Sequence, residues 1–124
     1  VDDDLYIGTD VVSVPRIRQL LDSALGNRFK LRVFSKVERL YCERKNSPSI
    51  HFAGRFAAKE ALYKALKSAS ISEIFTLKEL EIISGNLGEP ELNLPSRINK
   101  LFSSKVSISH TDEVAVAFAI VRKY

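Results

Sequence analysis

The stretch from Ser49 to Lys67 constrains the fold more than any other part of this chain. It is rich in alanine, has no internal proline and carries apolar residues almost all the way round a helical wheel. A helix apolar on most faces belongs in a core, so the rest of the chain has to supply the layer that covers it. With 124 residues, there is material for one domain with one sizeable core. Residues 1–124 are therefore expected to form a single domain, with the Asp2-Asp3-Asp4 run placing a flexible N-terminus at residues 1–4.

Alternating segments supply that layer. Leu5 to Val12 reads as a strand, with Leu5, Ile7 and Val11 on one face and Tyr6, Gly8, Asp10 and Val12 on the other. Ser13 and Pro15 start a helix with Ile17, Leu20 and Leu21 in its stripe, and Gly26-Asn27 ends it. Ser35 and Glu38 have capping-box spacing, which starts a second helix running through Tyr41. After the break at Asn46-Ser47-Pro48 and the long helix, Lys78 to Ser84 reads as a strand, residues 86–90 as a turn and Glu91 to Leu94 as a short strand. Pro95-Ser96 opens a short helix containing Ile98, Leu101 and Phe102. Lys105 to Ser109 and Val114 to Val121 alternate as two final strands. The order βαααββαββ predicts an α+β domain whose mainly antiparallel sheet packs against the long buried helix.

Composition excludes several classes. No apolar run approaches the roughly 20 residues of a membrane span. The single cysteine, Cys42, forms no intramolecular disulfide, and with His51 and His110 it falls short of a structural zinc site. No secretory-signal pattern opens the sequence. A mean hydropathy of -0.05 completes the expectation of a cytoplasmic protein.

Charge is unevenly placed. Arg16 to Lys45 holds nine basic residues against three acidic ones, a larger excess than the net +4 of the whole chain. Such a segment attracts an anionic partner. A solvated helical face, a nucleic acid and an acidic protein all remain open on charge alone, although no aromatics are interleaved for base stacking.

Three residues sit badly with a purely structural role. Asp10 interrupts an apolar strand, where it is either bonded to backbone amides at a strand end or kept for chemistry. Glu60 lies among Ala53, Phe56, Ala57 and Lys64 on its helix. It either pairs with Lys64 in the favourable Glu-to-Lys order, or joins Asp10 in holding a cation such as Mg²⁺. His110, just past a strand and beside Ser109 and Thr111, is either a satisfied loop histidine or a donor to phosphate oxygens. Arg55 and Lys59 lie on a different face of the helix from Lys64, and Lys59 fits a snorkelling surface cation.

Taken together, the segments Ile7-Gly8-Thr9-Asp10-Val11-Val12 with Pro15-Arg16-Ile17, Phe52 to Ala61 with Lys64, and Ser107 to Thr111 resemble the small bacterial 4′-phosphopantetheinyl transferases, the holo-[acyl-carrier-protein] synthase family. Asn86-Leu87-Gly88-Glu89-Pro90 resembles that family's Asn-Gly-x-Pro turn. The resemblance implies Mg²⁺-dependent transfer of 4′-phosphopantetheine from coenzyme A to a serine of apo acyl carrier protein, in fatty acid biosynthesis. It implies a homotrimer with active sites at subunit interfaces. Asp10 and Glu60 match Mg²⁺ ligands, and Lys64 a basic residue near the pyrophosphate. Arg55, Ser109, His110 and Thr111 match coenzyme A contacts, and Gly88 and Pro90 the turn beside the nucleotide. Arg44 and Lys45 fall where the 3′-phosphate is met. Arg16, Arg28 and Arg32 match the surface that receives the acidic carrier protein, which leaves no nucleic acid or membrane among the expected partners. The chain departs from the family at Thr9, where an aliphatic residue is usual, and at Lys67-Ser68-Ala69-Ser70-Ile71, where glycines are common. Positive-φ positions in that loop are expected to be costly.

Overall fold

A computed structural model describes residues 4–124. Residues 1–3, most of the expected flexible N-terminus, lie outside the described residues. The chain runs β1 (Leu5–Ser13), α1 (Val14–Asp22), α2 (Gly26–Val33), α3 (Lys36–Glu43) and α4 (Pro48–Ser68). A single 3₁₀ turn (Leu77–Glu79) then leads to β2 (Glu81–Ser84), β3 (Pro90–Asn93), α5 (Ser96–Asn99), β4 (Phe102–His110) and β5 (Val114–Lys123). The α+β architecture is as expected, with a short helix, α2, added from Gly26, where the sequence predicts only the end of the first helix. No helix among the described residues is long and apolar enough to cross a membrane.

The strands form two antiparallel sheets, one ordered β1-β5-β4 and the other the β2–β3 hairpin. The larger sheet covers α4, and thirteen residues of that helix are buried. Gly8, Val12, Ala115, Ala117, Ala119 and Val121 form its inner face. Small residues on both sides bring the helix unusually close. A Cβ on Gly8 would lie 1.9 Å from the Ala61 carbonyl oxygen and 2.9 Å from the Ala65 nitrogen. The opposite face of the sheet leaves Ile7, Val11, Val116 and Phe118 exposed, at 60%, 66%, 39% and 46%.

Several local differences have physical causes. Gly26 packs against the end of α1, where a Cβ would lie 2.1 Å from the Leu21 carbonyl oxygen, so it opens α2 instead of only closing α1. Residues 77–79 coil into a 3₁₀ turn because Thr76 and Glu79 form a capping box, which shortens the strand expected over 78–84. Leu101 and Phe102 leave the short helix, and Phe102 becomes the buried start of β4.

The glycine-poor end of α4 is closed by Ser70 at φ 56°. Ile71 N–H donates to the Leu66 carbonyl and Ser70 N–H to that of Lys67, the hydrogen-bond pair of a Schellman cap. A serine bears a left-handed penalty there that glycine lacks. Ser70→Gly is expected to raise stability by about 1 kcal/mol, after allowing for glycine's greater unfolded-state entropy. Chemical denaturation checks this, through a higher midpoint at unchanged slope.

Candidate active site

α4 presents two different sets of polar groups to its surroundings. Glu60 and Lys64 border the close contact between Ala61 and Gly8, and Asp10 follows two residues along β1 on the same side of the strand as Gly8. Lys64 Nζ donates to Asp10 Oδ1 at 3.1 Å and to the Thr9 carbonyl at 3.0 Å. Thr9 points to the other side of the strand and donates from Oγ1 to the Ala117 carbonyl at 3.0 Å. Burial pushes the Glu60 carboxyl above its ordinary range, the Asp10 charge pushes it further, and the Lys64 ammonium opposes both. The three residues therefore form one electrostatic unit, with two carboxylates in mutual repulsion and one cation paired with Asp10. Lys64 makes its ion pair with Asp10 and not with Glu60, which feels the ammonium only at longer range; two repelling carboxylates suit a divalent ion. No group of three or more Asp, Glu, His or Cys suited to a metal occurs among the described residues. Two carboxylates make no closed protein cage; Mg²⁺, which keeps several waters and binds through few protein oxygens, would need no more.

The second set lies where α4 meets α3, the β2–β3 turn and the end of β4. Arg55, His51 and Gly54 of α4 border a cavity of about 160 Å³ together with Tyr41, Gly88, Pro90, Ile108 and His110. Arg55 is 6% exposed. Its guanidinium stacks 3.8 Å from the Tyr41 ring centre, and its Nη2 donates to Ser84 Oγ at 3.1 Å. Its Nε is buried and has no hydrogen-bond partner among the described residues. Lys45 Nζ lies 4.6 Å from the Tyr41 ring centre. The Tyr41 hydroxyl is lowered from its ordinary value, first by its hydrogen bond with Ser84 and then by Arg55 and Lys45, against the effect of burial. Burial lowers His51, and the positive charges around it add to the effect. An arginine and two histidines around one small cavity, with Lys45 nearby on the Tyr41 ring, are the chemistry of an anion site. Gly88 shapes its rim: it closes the turn at φ 83°, a backbone conformation that favours glycine.

Arg55, Gly88, Pro90 and His110 thus line one cavity. Ser109 and Thr111 are not among the residues lining this cavity. Ser109 pairs with Val116 and is exposed, while Thr111 Oγ1 accepts from the Glu113 and Val114 amides within the β4–β5 turn. Sequence reasoning missed His51 and Tyr41. His51 stands one helical turn before Arg55, a spacing that marks the shared face; Tyr41 reads only as a member of an apolar stripe. Arg16, Arg28 and Arg32 are exposed on α1 and α2, and Arg44 and Lys45 just after α3. Lys59 departs from the surface role given to it: it is fully buried and pairs with Glu38 at 2.8 Å. Cys42 is also buried, which pushes its thiol up to about 12, so it has no thiolate character for catalysis.

Residues 6–119 match the model of the 4′-phosphopantetheinyl transferase superfamily. The chain is 43% identical over 119 residues to the holo-[acyl-carrier-protein] synthase of Chlamydia pneumoniae, covering 94% of this chain and 95% of that one. It is 39% identical to the Protochlamydia amoebophila protein of the same name, covering 94% and 96%. Among solved structures, the Helicobacter pylori holo-[acyl-carrier-protein] synthase in complex with coenzyme A matches with a TM-score of 0.80 at 30% identity, over 93% of this chain and 98% of that one. The Chronobacterium ammoniagenes ACPS–CoA complex matches with a TM-score of 0.82 at 28% identity, over 97% and 98%. With matches that run nearly end to end in both sequence and fold, the chain belongs to the holo-[acyl-carrier-protein] synthase family of 4′-phosphopantetheinyl transferase enzymes.

Proposed function

We propose that this enzyme transfers the 4′-phosphopantetheine group of coenzyme A to a serine hydroxyl of an apo acyl carrier protein, releasing adenosine 3′,5′-bisphosphate. The observation that carries the reading is that the chain holds both an anion cavity around Arg55 and the Asp10–Glu60–Lys64 unit. The cavity has room for part of a nucleotide but not for a whole coenzyme A molecule. Arg55, His110 and Lys45 would meet its phosphates, with Gly88 and Pro90 as the wall. Lys64 would stand against the pyrophosphate and offset its charge. In the reaction the serine oxygen forms a bond to the phosphorus bearing pantetheine, and the bond from that phosphorus to the bridging oxygen breaks. The electron pair leaves with the nucleotide phosphate. Glu60, held beside Asp10 and Lys64, organises removal of the serine proton. Mg²⁺ held by Asp10 and Glu60 would supply charge neutralisation at the phosphate oxygens.

The assignment extends to surfaces. Residues 1–124 form one domain in this reading, working in the cytoplasm in fatty acid biosynthesis. Arg16, Arg28 and Arg32 receive the acidic carrier protein, and Ser109 and Thr111 meet coenzyme A from the end of the β4–β5 hairpin. The exposed apolar face of Ile7, Val11, Val116 and Phe118 packs between copies in a homotrimer. Each complete site then combines the carboxylate unit of one subunit with the cavity of its neighbour. Phe118→Lys is expected to give monomers by light scattering and to remove transferase activity, because neither half-site works alone. An active monomer would refute the shared site.

Release of adenosine 3′,5′-bisphosphate from coenzyme A tests the reaction. It should require the chain, apo carrier protein and Mg²⁺ together, and chelation should stop it. Release at the same rate without carrier protein would indicate hydrolysis rather than transfer.

A further inference from the structure

The one buried ion pair among the described residues joins Glu38 to Lys59, and it touches neither half-site. Both side chains are fully enclosed, 2.8 Å apart. Lys59 Nζ also donates to the Leu77 carbonyl at 2.8 Å and the Leu80 carbonyl at 2.9 Å. Its three ammonium protons therefore have three acceptors. Glu38 Oε1 accepts in addition from the Ser35 amide at 2.8 Å, and Oε2 from the Ile82 amide at 2.9 Å. Ile82 pairs with Leu92 across the hairpin, yet its own N–H goes to Glu38. The pair thus ties together three elements: the start of α3, the middle of α4, and the segment leading into β2.

These elements carry the walls of the cavity. Arg55 stands one helical turn before Lys59, Tyr41 one turn beyond Glu38 less a residue, and Ser84 two residues beyond Ile82. Gly88 and Pro90 follow in the same hairpin. Buried ion pairs add little net stability, because desolvation offsets the attraction, and apolar replacements of similar volume are often tolerated. Their directional bonds fix geometry in a way that apolar packing does not.

Resting on the reading of the cavity as the coenzyme A site, we propose that Glu38 and Lys59 are positioning residues: their bonds set the distance between the hairpin wall and the Arg55 wall, and so the affinity for the nucleotide. The test compares wild type with the double variant Glu38→Leu/Lys59→Met, using calorimetric titration with coenzyme A and steady-state kinetics with apo carrier protein. The double variant should still unfold cooperatively but at a lower temperature, because the Ser35 and Ile82 amides and the Leu77 and Leu80 carbonyls lose their partners. Its coenzyme A affinity should fall by about tenfold or more, with KM for coenzyme A rising in step and kcat changing less than about threefold. A merely structural role predicts the reverse split, with a smaller active fraction at unchanged KM. A folded double variant that binds coenzyme A as wild type does would overturn the proposal. Wild type that binds no coenzyme A would instead overturn the reading of the cavity. Should the double variant fail to fold, hydrogen exchange in the wild-type protein decides. The Ile82 amide should exchange as slowly as amides of α4, and exchange as fast as that of exposed Leu87 would overturn the clamp.

Discussion

Glu60→Gln is expected to lower transfer by about a thousandfold and at the same time to raise the melting temperature at pH 7. Both effects have one source. The Glu60 carboxylate is partly withdrawn from water and lies in the field of Asp10, so its proton is held more tightly in the folded chain than in the unfolded one. Between the ordinary glutamate value of 4.5 and the raised native value, the native state binds more protons. Stability therefore falls as pH rises through that window, and the loss persists above it. Glutamine keeps the shape without the charge and escapes the loss. The variant's stability advantage should be largest near neutrality and shrink below the ordinary glutamate value. Thermal unfolding of both proteins across pH measures this. A variant that is inactive and also less stable at pH 7 would mean that Glu60 is a structural ion-pair partner of Lys64 rather than a strained functional acid.

Gly8→Ala is expected to cost about 3 kcal/mol or more of stability and most of the activity, although it adds only one methyl group. The new Cβ would meet the backbone of Ala61 and Ala65 at 1.9 Å and 2.9 Å, and backbone atoms cannot rotate aside as a side chain can. β1 must move away from α4. Asp10 travels with β1, whereas Glu60 and Lys64 stay with the helix, so the 3.1 Å contact between Lys64 and Asp10 is lost with the packing. Denaturant unfolding and the transfer assay, run on the same preparation, check the two losses together. Wild-type stability in this variant would show that the strand and helix are not in the close contact described.

The elements with strong periodicity were the ones legible in the sequence. α4 announced itself by being apolar on nearly every face, and β1 and β5 by alternation. The capping box at Ser35 and Glu38 forms as its spacing indicates. α2 was hidden because Gly26 ordinarily marks a helix end, and because its N-cap, Leu25, offers no side-chain hydrogen bond. The 3₁₀ turn was hidden inside a segment apolar enough to pass for a longer strand. For the site, Asp10 and Glu60 stood out as carboxylates among apolar neighbours, and a helix turn relates Glu60 to Lys64. Tyr41 and Ser84 gave no such signal. Their closeness to Arg55 arises from packing between α3, β2 and α4, contacts remote in sequence. Lys59 shows the limit of reading a cation from its own helix. Nothing local reveals that Glu38, 21 residues earlier, will follow it into the core.

The central claim is that the carboxylate unit and the Arg55 cavity together move phosphopantetheine onto a protein serine. Intact mass spectrometry of an apo acyl carrier protein, incubated with coenzyme A, Mg²⁺ and this enzyme, tests it most directly. The carrier should gain the mass of one phosphopantetheine group, and should gain nothing when its acceptor serine is replaced by alanine. An unmodified carrier protein, in a mixture where the enzyme is folded and coenzyme A is intact, would contradict the account.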